Sequence, residues 1–304
     1  MTSTRSPVGP CSRAAVTALL VSACLVAAVA APGSASADDP NDVTAADTYA
    51  ALASTPGVLA DSDTVKTTSD SDSAATSTVG GTVVDIPRDA QQGVTMTQPA
   101  GDSIVIVPEQ AAGVPAAPVA PGVVAYPGND GSATAVQATE NGGVRVLTVI
   151  EDPSAPEEYT YRVSVPGGGS VSVNPDGSAS VADSTGVQLS QIQAPWATDG
   201  DGTSVPTYFT SNGQDLTQHI AFRSGTYAFP IKADPWFWSY LSCIFGAGVP
   251  AGTAIWLAAE VGTTTFITAV IGQRKYIPAG TATYKAMAYY AQRVYNACRN
   301  FIRS

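Results

Sequence analysis

The chain reads Val144-Arg145-Val146-Leu147-Thr148-Val149-Ile150 near its middle, a run whose β-branched residues are typical of a β-strand. Similar runs recur about every ten residues through residues 79–233. Turns rich in Gly, Asn and Asp, such as Asn174-Pro175-Asp176-Gly177, separate them. This spacing predicts an antiparallel β-sandwich or meander over residues 79–235 rather than an α/β fold. The length suits one core, or two small β-subdomains divided near the Pro- and Ala-rich residues 108–121.

The composition changes at Asp234-Pro235-Trp236. Residues 38–239 hold 6 Lys+Arg and 24 Asp+Glu, a formal charge of −18, whereas residues 240–304 hold 6 Lys+Arg and Glu260 alone, a formal charge of +5. The apolar period also lengthens beyond this point, which predicts helices. Their expected bounds are 238–245, 253–271 and 281–302. We therefore expect a small hydrophobic, cationic α-helical module over residues 236–304, which makes the protein α+β overall.

The first 37 residues have the pattern of a secretory signal peptide. A basic start precedes an apolar stretch, and Ala35-Ser36-Ala37 offers small residues at a cleavage site. Cleavage there begins the mature protein at Asp38 and predicts a secreted protein that is extracellular or associated with the cell envelope. The alternative is lipid modification at Cys24, because Val21-Ser22-Ala23-Cys24 fits a lipoprotein box. The apolar run continues past that cysteine, which favours ordinary cleavage.

Residues 38–78 are rich in Ala, Ser, Thr and Asp, and they contain the run Ser69-Asp70-Ser71-Asp72-Ser73. Such a segment holds few large apolar side chains, so it buries too little surface to offset the entropy lost on ordering. We expect a disordered acidic linker here. A short helix over residues 43–52 is the alternative.

Signal cleavage after Ala37 removes Cys11 and Cys24, which leaves Cys243 and Cys298 in an oxidising compartment. One disulfide between these two cysteines is the natural interpretation. Closing a loop of that length contributes roughly 4 kcal/mol on the chain-entropy model. Two buried free thiols and an intermolecular bridge are the alternatives.

Aromatic residues cluster where the composition changes, in Pro235-Trp236-Phe237-Trp238-Ser239-Tyr240. They either form a hydrophobic plug that seats the tail on the β-core or anchor the chain at a membrane interface. Residues 254–271 resemble a membrane span, although Glu260 argues against a free-standing one. The residues expected to contact a membrane or partner are Trp236, Trp238, Tyr240, Trp256, Lys285, Arg293, Arg299 and Arg303.

The chain has one histidine, His219, so any histidine-based nucleophile or metal site would use it. Its neighbours alternate as in a strand, which favours a solvated or hydrogen-bonded strand histidine over a catalytic one. A calcium loop is suggested by Asp199-Gly200-Asp201-Gly202-Thr203, but the bidentate Glu of an EF-hand is missing, so an Asx-rich turn is favoured. No Gly-x-Ser-x-Gly elbow is present. We expect no enzyme activity, no catalytic or metal-binding residues, no cofactor and no small-molecule substrate.

Five short motifs carry a resemblance to known sequences. They are Val83-Val84-Asp85-Ile86-Pro87, Pro121-Gly122-Val123-Val124-Ala125-Tyr126, Leu147-Thr148-Val149-Ile150-Glu151-Asp152, Ala194-Pro195-Trp196-Ala197-Thr198-Asp199 and Ala233-Asp234-Pro235-Trp236. In this order they make the chain similar, over residues 79–236, to a group of secreted actinobacterial proteins without assigned function. The resemblance implies a Gram-positive, high-GC source and an acidic β-region shared as a carrier, followed by short and varied tails. It implies no activity and no site residues.

The difference in charge between the two regions leads to two functional hypotheses. The first is a bacteriocin-like precursor, whose acidic β-domain carries a membrane-active C-terminal module and releases it by proteolysis near Trp236. The second is a structural or binding protein of the cell envelope, anchored or oligomerised through its C-terminal helices. The expected partners are an anionic lipid membrane or the envelope, and the acidic β-region is a poor surface for nucleic acid. A hydrolase is the third hypothesis, which no residue pattern supports.

Overall fold

A computed structural model describes residues 41–239, apart from residues 64, 80, 81, 99, 100, 112, 141 and 187. The described residues form one α-helix, α1, at Ala45–Ala53, and eighteen strands. The strands are β1 Thr67–Thr68, β2 Ser73–Val79, β3 Thr82–Pro87, β4 Val94–Thr97, β5 Ser103–Pro108, β6 Ala117–Ala120, β7 Val123–Tyr126, β8 Ser132–Ala138, β9 Val144–Ile150, β10 Glu158–Ser164, β11 Gly169–Val173, β12 Ala179–Asp183, β13 Gln188–Ile192, β14 Trp196–Thr198, β15 Thr207–Ser211, β16 Asp215–Ile220, β17 Ile231–Asp234 and β18 Trp236–Ser239. Short 3₁₀ turns lie at Ala60–Ser62, Ala90–Gln92, Glu109–Ala111 and Phe222–Ser224.

The strands form two antiparallel sheets. The first sheet has the order β1-β2-β3-β4-β5-β10-β16-β15, and the second has the order β11-β12-β13-β18-β9-β8-β7-β6. Strand β17 joins the second sheet by pairing with both β14 and β9. Side chains from both sheets pack into one buried cluster, which includes Met96, Tyr161, Val146 and Phe237. The β-rich architecture is therefore confirmed as a two-sheet arrangement with one main core, and the chain on either side of residues 108–121 contributes to it.

The α+β assignment is wrong for the structure as described. The described residues hold a single α-helix near their N-terminal end, and no small α-helical C-terminal module is seen. Most of the region that suggested this module, residues 240–304, lies outside the described residues. Residues 236–239, with which the expected module begins, form strand β18 instead of opening a helix, because Phe237 points into the core while Trp236 and Trp238 lie on the opposite side of the strand.

The segment expected to be a disordered linker carries ordered structure. Helix α1 begins after Thr44, whose hydroxyl accepts a hydrogen bond from the Asp47 backbone N–H at 3.2 Å, while the Asp47 carboxylate accepts one from the Thr44 N–H at 3.1 Å. Leu52 is fully buried against the outer face of the second sheet, together with Val58. The average hydrophobicity of the segment is low, but its few apolar residues are spaced so that they pack together on the sheet.

Asp70 illustrates the same difference at the start of the first sheet. Its side-chain oxygen accepts backbone hydrogen bonds from Asp72 and Ser73 at 2.9 and 2.8 Å, and these bonds shape the turn into β2. The same N–H groups, that of Ser73 first, hold the pKa of the Asp70 carboxyl below its ordinary value. The acidic Ser-Asp run is therefore a turn that leads into a strand. No helix within the described part of the chain is long and apolar enough to span a membrane.

Candidate functional site

Strand β18 is the last described element, and it lies inside the second sheet. On one side it pairs with β9, with Trp236 opposite Arg145. On the other side it pairs with β13, with Trp238 opposite Gln191. In the strand order it therefore joins the group β11-β12-β13 to the group β9-β8-β7-β6. Residue 240 thus follows Trp238 and Ser239, whose register partners lie on β13, at the end of a strand that lies between β13 and β9.

Pro235 explains how the chain enters this strand. Strands β17 and β18 both pair with β9, but β17 has β14 on its other side and β18 has β13. Proline has no N–H to donate to a ladder, so it suits the point where one partner strand is exchanged for the next. Its carbonyl still accepts a hydrogen bond from the Val146 N–H at 3.0 Å. The buried Pro235 therefore separates the two short strands β17 and β18.

A buried ion pair lies beside this break. Arg145 Nε lies 2.9 Å from Asp234 Oδ2, and the two side chains are only 7% and 3% exposed. The guanidinium carbon of Arg145 lies 3.9 Å from the ring centroid of Trp236, and its Nη1 donates to the Val58 carbonyl at 3.3 Å and to Gln137 Oε1 at 3.4 Å. A buried charge needs such partners, because desolvation is costly. The cluster joins β9, the segment that follows α1, and Asp234 and Trp236 on either side of Pro235.

The predicted contact residues are only partly within the described region. Trp236 and Trp238 are half-buried, and their ring centroids lie 4.7 Å apart on the face of the second sheet away from the main core. Phe237, between them, is fully buried in that core. Three aromatic rings thus hold β18 from both faces of the sheet. Outside the described residues lie Tyr240, Trp256, Lys285, Arg293, Arg299 and Arg303, as do both cysteines of the expected disulfide, Cys243 and Cys298.

A second buried cation, Lys232, lies two residues before Asp234 on β17. It is 3% exposed, and its Nζ donates to the backbone carbonyl of Asp199 at 3.0 Å. Burial lowers the pKa of Lys232, while the charges of Asp199 and Glu151 oppose that shift. Burial also raises the pKa of Glu151, helped by the nearby charge of Asp47. The outer face of the second sheet therefore buries two cations, each on a different strand.

The suspected calcium loop is an Asx turn. The Asp199 carboxylate accepts hydrogen bonds from the N–H groups of Asp201 and Thr203 at 3.0 and 2.7 Å, and from that of Ala228 at 3.0 Å. These bonds, that of Ala228 first, hold the pKa of Asp199 below its ordinary value. Its oxygens are thus used to hold the turn together and to join it to the loop that leads into β17. Across the described residues, no group of three or more His, Cys, Asp or Glu side chains is arranged to hold a metal ion.

His219 lies on β16, on the outer face of the first sheet. Its Nε2 lies 2.9 Å from Thr210 Oγ1, and its Nδ1 lies 3.4 Å from Glu158 Oε1. These contacts match the hydrogen-bonded strand histidine that the sequence favoured. The ring also stacks on Tyr208.

Two open clefts lie side by side at a different place. The larger, of about 620 Å³, is lined by Asp42, Val43, Thr44, Gln110, Gly113, Val114, Pro127, Gly128, Asn129 and Asp130. The smaller, of about 310 Å³, shares two of these residues and adds the pair Arg88 and Asp89. In the larger cleft, Asp130 Oδ1 already accepts hydrogen bonds from the backbone and hydroxyl of Ser132 at 3.0 and 2.7 Å. This oxygen of the cleft lining is thus already used in hydrogen bonds within its own turn.

The motifs that carried the family resemblance meet in space. Tyr126 Oη donates to the Pro87 carbonyl at 2.6 Å, which joins the first motif to the second. Trp196 lies directly opposite Asp234 in the β14–β17 pair, which joins the fourth motif to the fifth. The third motif is largely β9, which pairs with β17. The first two motifs therefore join the two sheets, and the last three meet at β17.

Sequence reasoning missed Arg145, although a signal was present. A single charged residue in the apolar run of residues 144–150 requires a buried partner, and the Asp of the Ala-Asp-Pro-Trp motif is the one that supplies it. Comparisons with protein-family models, with curated proteins and with solved structures found no match to this chain.

Proposed function

We propose that the protein is a secreted, non-enzymatic carrier whose β-scaffold holds an apolar, cationic segment, residues 240–304, for action at anionic membranes, as in a bacteriocin-like precursor. The observation that carries this proposal is the place of β18 in the second sheet. A segment attached to a strand that is paired on both sides is held at a fixed point of the scaffold. A flexible linker would instead leave the position of that segment undefined.

Charge supports the same function. The formal charge of residues 38–239 is −18, and that of residues 240–304 is +5. An acidic scaffold attracts a cationic segment and lowers its tendency to bind anionic lipid while the two are joined. Separation would remove that competition.

The burial of the chain around Trp236 affects where a protease could cut. The sequence suggested cleavage near Trp236, but Pro235 and Phe237 are buried, and β18 is paired on both sides. A protease needs an exposed segment that opens locally. Release by proteolysis therefore requires a cut beyond Ser239, after which β18 stays in the sheet.

The test places a recognition site for a specific protease between Ser239 and Tyr240 of the mature full-length protein. Leakage of an entrapped dye is measured with phosphatidylglycerol vesicles before and after cutting. We expect leakage to rise after cutting, and to be weaker with phosphatidylcholine vesicles. The control carries the same site in the exposed turn at Gly167-Gly168, where a cut leaves the tail attached to β18. Absence of leakage and of vesicle binding after the cut at residue 239 contradicts the proposal.

A further inference from the structure

The outer face of the first sheet presents ordered rows of side chains. Exposed or half-exposed residues alternate with buried ones along β10 and β16, as expected when one face packs on the core. In register across the strands, Tyr208 lies opposite His219, and His219 lies opposite Glu158. These three residues form the aromatic row.

A second row runs parallel to the first. Thr210 lies opposite Thr217, and Thr217 lies opposite Thr160. These residues form the threonine row. Adjacent members of a row are about 4.8 Å apart, and the two rows are separated by two residues along each strand, roughly 6.8 Å. These spacings are comparable with the size of a sugar ring.

Tyr208 is an exposed aromatic ring that the neighbouring side chains hold in place. It is 56% exposed, and it stacks on His219 with the centroids 4.6 Å apart and the planes 8° from parallel. The histidine is held by Thr210 on one nitrogen and faces Glu158 with the other. Among the described strands β15 is the last of this sheet, so no described strand lies beyond the tyrosine. The ring is thus preorganised with open area that a flat apolar ligand surface can cover.

The threonine row supplies hydroxyl groups with capacity to spare. Thr160 Oγ1 and Thr217 Oγ1 are 3.0 Å apart and share one hydrogen bond. Each hydroxyl has one donor and two acceptor positions, so positions remain for a ligand. The Glu158 carboxylate, with a side chain 69% exposed, adds further acceptors. Ligands that carry many hydroxyl groups match this set.

Charge on this part of the face excludes polyanions. Arg162 is the cation of the same strands, and its guanidinium lies 2.6 Å from Glu109 and 3.9 Å from Asp215. Its charge is therefore already neutralised by two carboxylates, while the exposed Glu158 carboxylate repels anions. A neutral ligand is the one whose charge suits this surface.

We propose that the aromatic and threonine rows bind a neutral polysaccharide, with one sugar ring stacked on the free face of Tyr208 and hydroxyl groups of neighbouring sugar units bound by Thr210, Thr217 and Glu158. The apolar C–H face of the stacked ring covers the tyrosine, and the polar groups of the two rows, which extend over two strand spacings, meet hydroxyl groups along the polymer. This binding site is separate from strand β18 and does not depend on the carrier function.

The test measures retention of the full-length mature protein on four neutral, insoluble polysaccharides: chitin, cellulose, xylan and mannan. We expect binding to at least one of these polymers, and about a tenfold loss of affinity for Tyr208→Ala. The matched control is Tyr49→Ala, since Tyr49 is the other large exposed aromatic among the described residues, at 41%, and it lies on α1. That control should bind as the natural protein does.

A second variant, Thr217→Val, keeps the shape of the side chain and removes one hydroxyl of the row, and we expect a smaller loss of binding. Retention of both variants is compared at equal folded fraction, measured by circular dichroism. No binding to any of the four polymers, or an equal loss for Tyr208→Ala and Tyr49→Ala, overturns the proposal. A cut after Ser239 should leave polymer binding intact, so this result is distinguishable from failure of the carrier function.

Discussion

The outer faces of the two sheets differ in what covers them. On the second sheet, β8 and β9 are buried along their whole length, because α1 contacts that face while the first sheet covers the other. On the first sheet, β10 alternates between buried and exposed residues, because only its inner face is covered. A helix of nine residues thus decides whether side chains on an outer face are part of a core or free to meet a ligand.

The difference determines how charges are handled. On the outer face of the second sheet, Arg145 and Asp234 are almost fully buried and are paired at 2.9 Å. On the open face, Arg162 and Glu109 are paired at a similar distance, but their side chains are 56% and 35% exposed. Water competes with the exposed pair, whereas the buried pair has no substitute for its partner. Substitutions at the two pairs should therefore have very different effects.

The largest effect is expected for Asp234→Ala. The substitution leaves the Arg145 guanidinium buried without its carboxylate, which should lower the free energy of unfolding by about 3–5 kcal/mol. Urea denaturation followed by circular dichroism measures the change. A double variant that also carries Arg145→Met removes the orphaned charge and should recover part of the loss. A loss below about 1 kcal/mol for the single variant would show that solvent reaches the guanidinium.

Leu52→Ala tests the cover itself. Leu52 lies on the face of α1 that packs on the second sheet, and it is completely buried. We expect a loss of about 2–4 kcal/mol from lost burial and the cavity left behind. Tyr49→Ala on the exposed side of α1 is the control and should change stability by less than about 0.5 kcal/mol. Equal effects would mean that α1 does not pack on the sheet in solution.

The local patterns predicted what depends on neighbouring residues. The run at residues 144–150 corresponds to strand β9, and the motif at residues 199–203 is an Asx turn. Both depend on side-chain chemistry within a few positions. For residues 38–78 the composition favoured a disordered linker, with a short helix over residues 43–52 as the alternative. Helix α1 at Ala45–Ala53 corresponds to that alternative, and the capping box at Thr44 and the buried Leu52 explain why it forms.

The candidate sites could not be predicted from such patterns. The Arg145–Asp234 pair joins strands that are far apart in the sequence, and its formation depends on the order of strands in the sheet. The aromatic row depends on register: a shift of β15 by one residue would turn Tyr208 towards the other face. The aromatic residues of β18 coincide with the change in composition, so the local pattern predicts the start of a helical tail there instead of a strand.

The substitution Lys232→Met tests the second buried charge on the outer face of the second sheet, through the pH dependence of stability. Burial lowers the pKa of Lys232 below its ordinary value of 10.5. Between the folded and unfolded pKa values the unfolded chain binds more protons, so this residue makes the natural protein more stable as the pH rises towards 10.5. Below the folded pKa the ammonium is buried at its full desolvation cost.

The variant should therefore be more stable than the natural protein at pH 7, by an amount that shrinks as the pH approaches 10.5. The difference between the two proteins is the quantity to measure, by urea denaturation at several pH values. Buried tyrosines such as Tyr126 and Tyr161 have a raised pKa and destabilise the fold at high pH, but they act equally in both proteins. A difference that does not change with pH would mean that Lys232 titrates as it does in water.

The smallest effect is expected for Glu109→Gln on the open face. The substitution removes the carboxylate 2.6 Å from Arg162, but Asp215 remains within 3.9 Å of the same guanidinium. Since both side chains of the lost pair reach solvent, the free energy of unfolding should fall by less than about 1 kcal/mol, and less still in high salt. Urea denaturation at low and high ionic strength measures it beside Asp234→Ala. If the two substitutions destabilised the protein equally, the open face would have to be covered in solution, and a polysaccharide could not reach Tyr208.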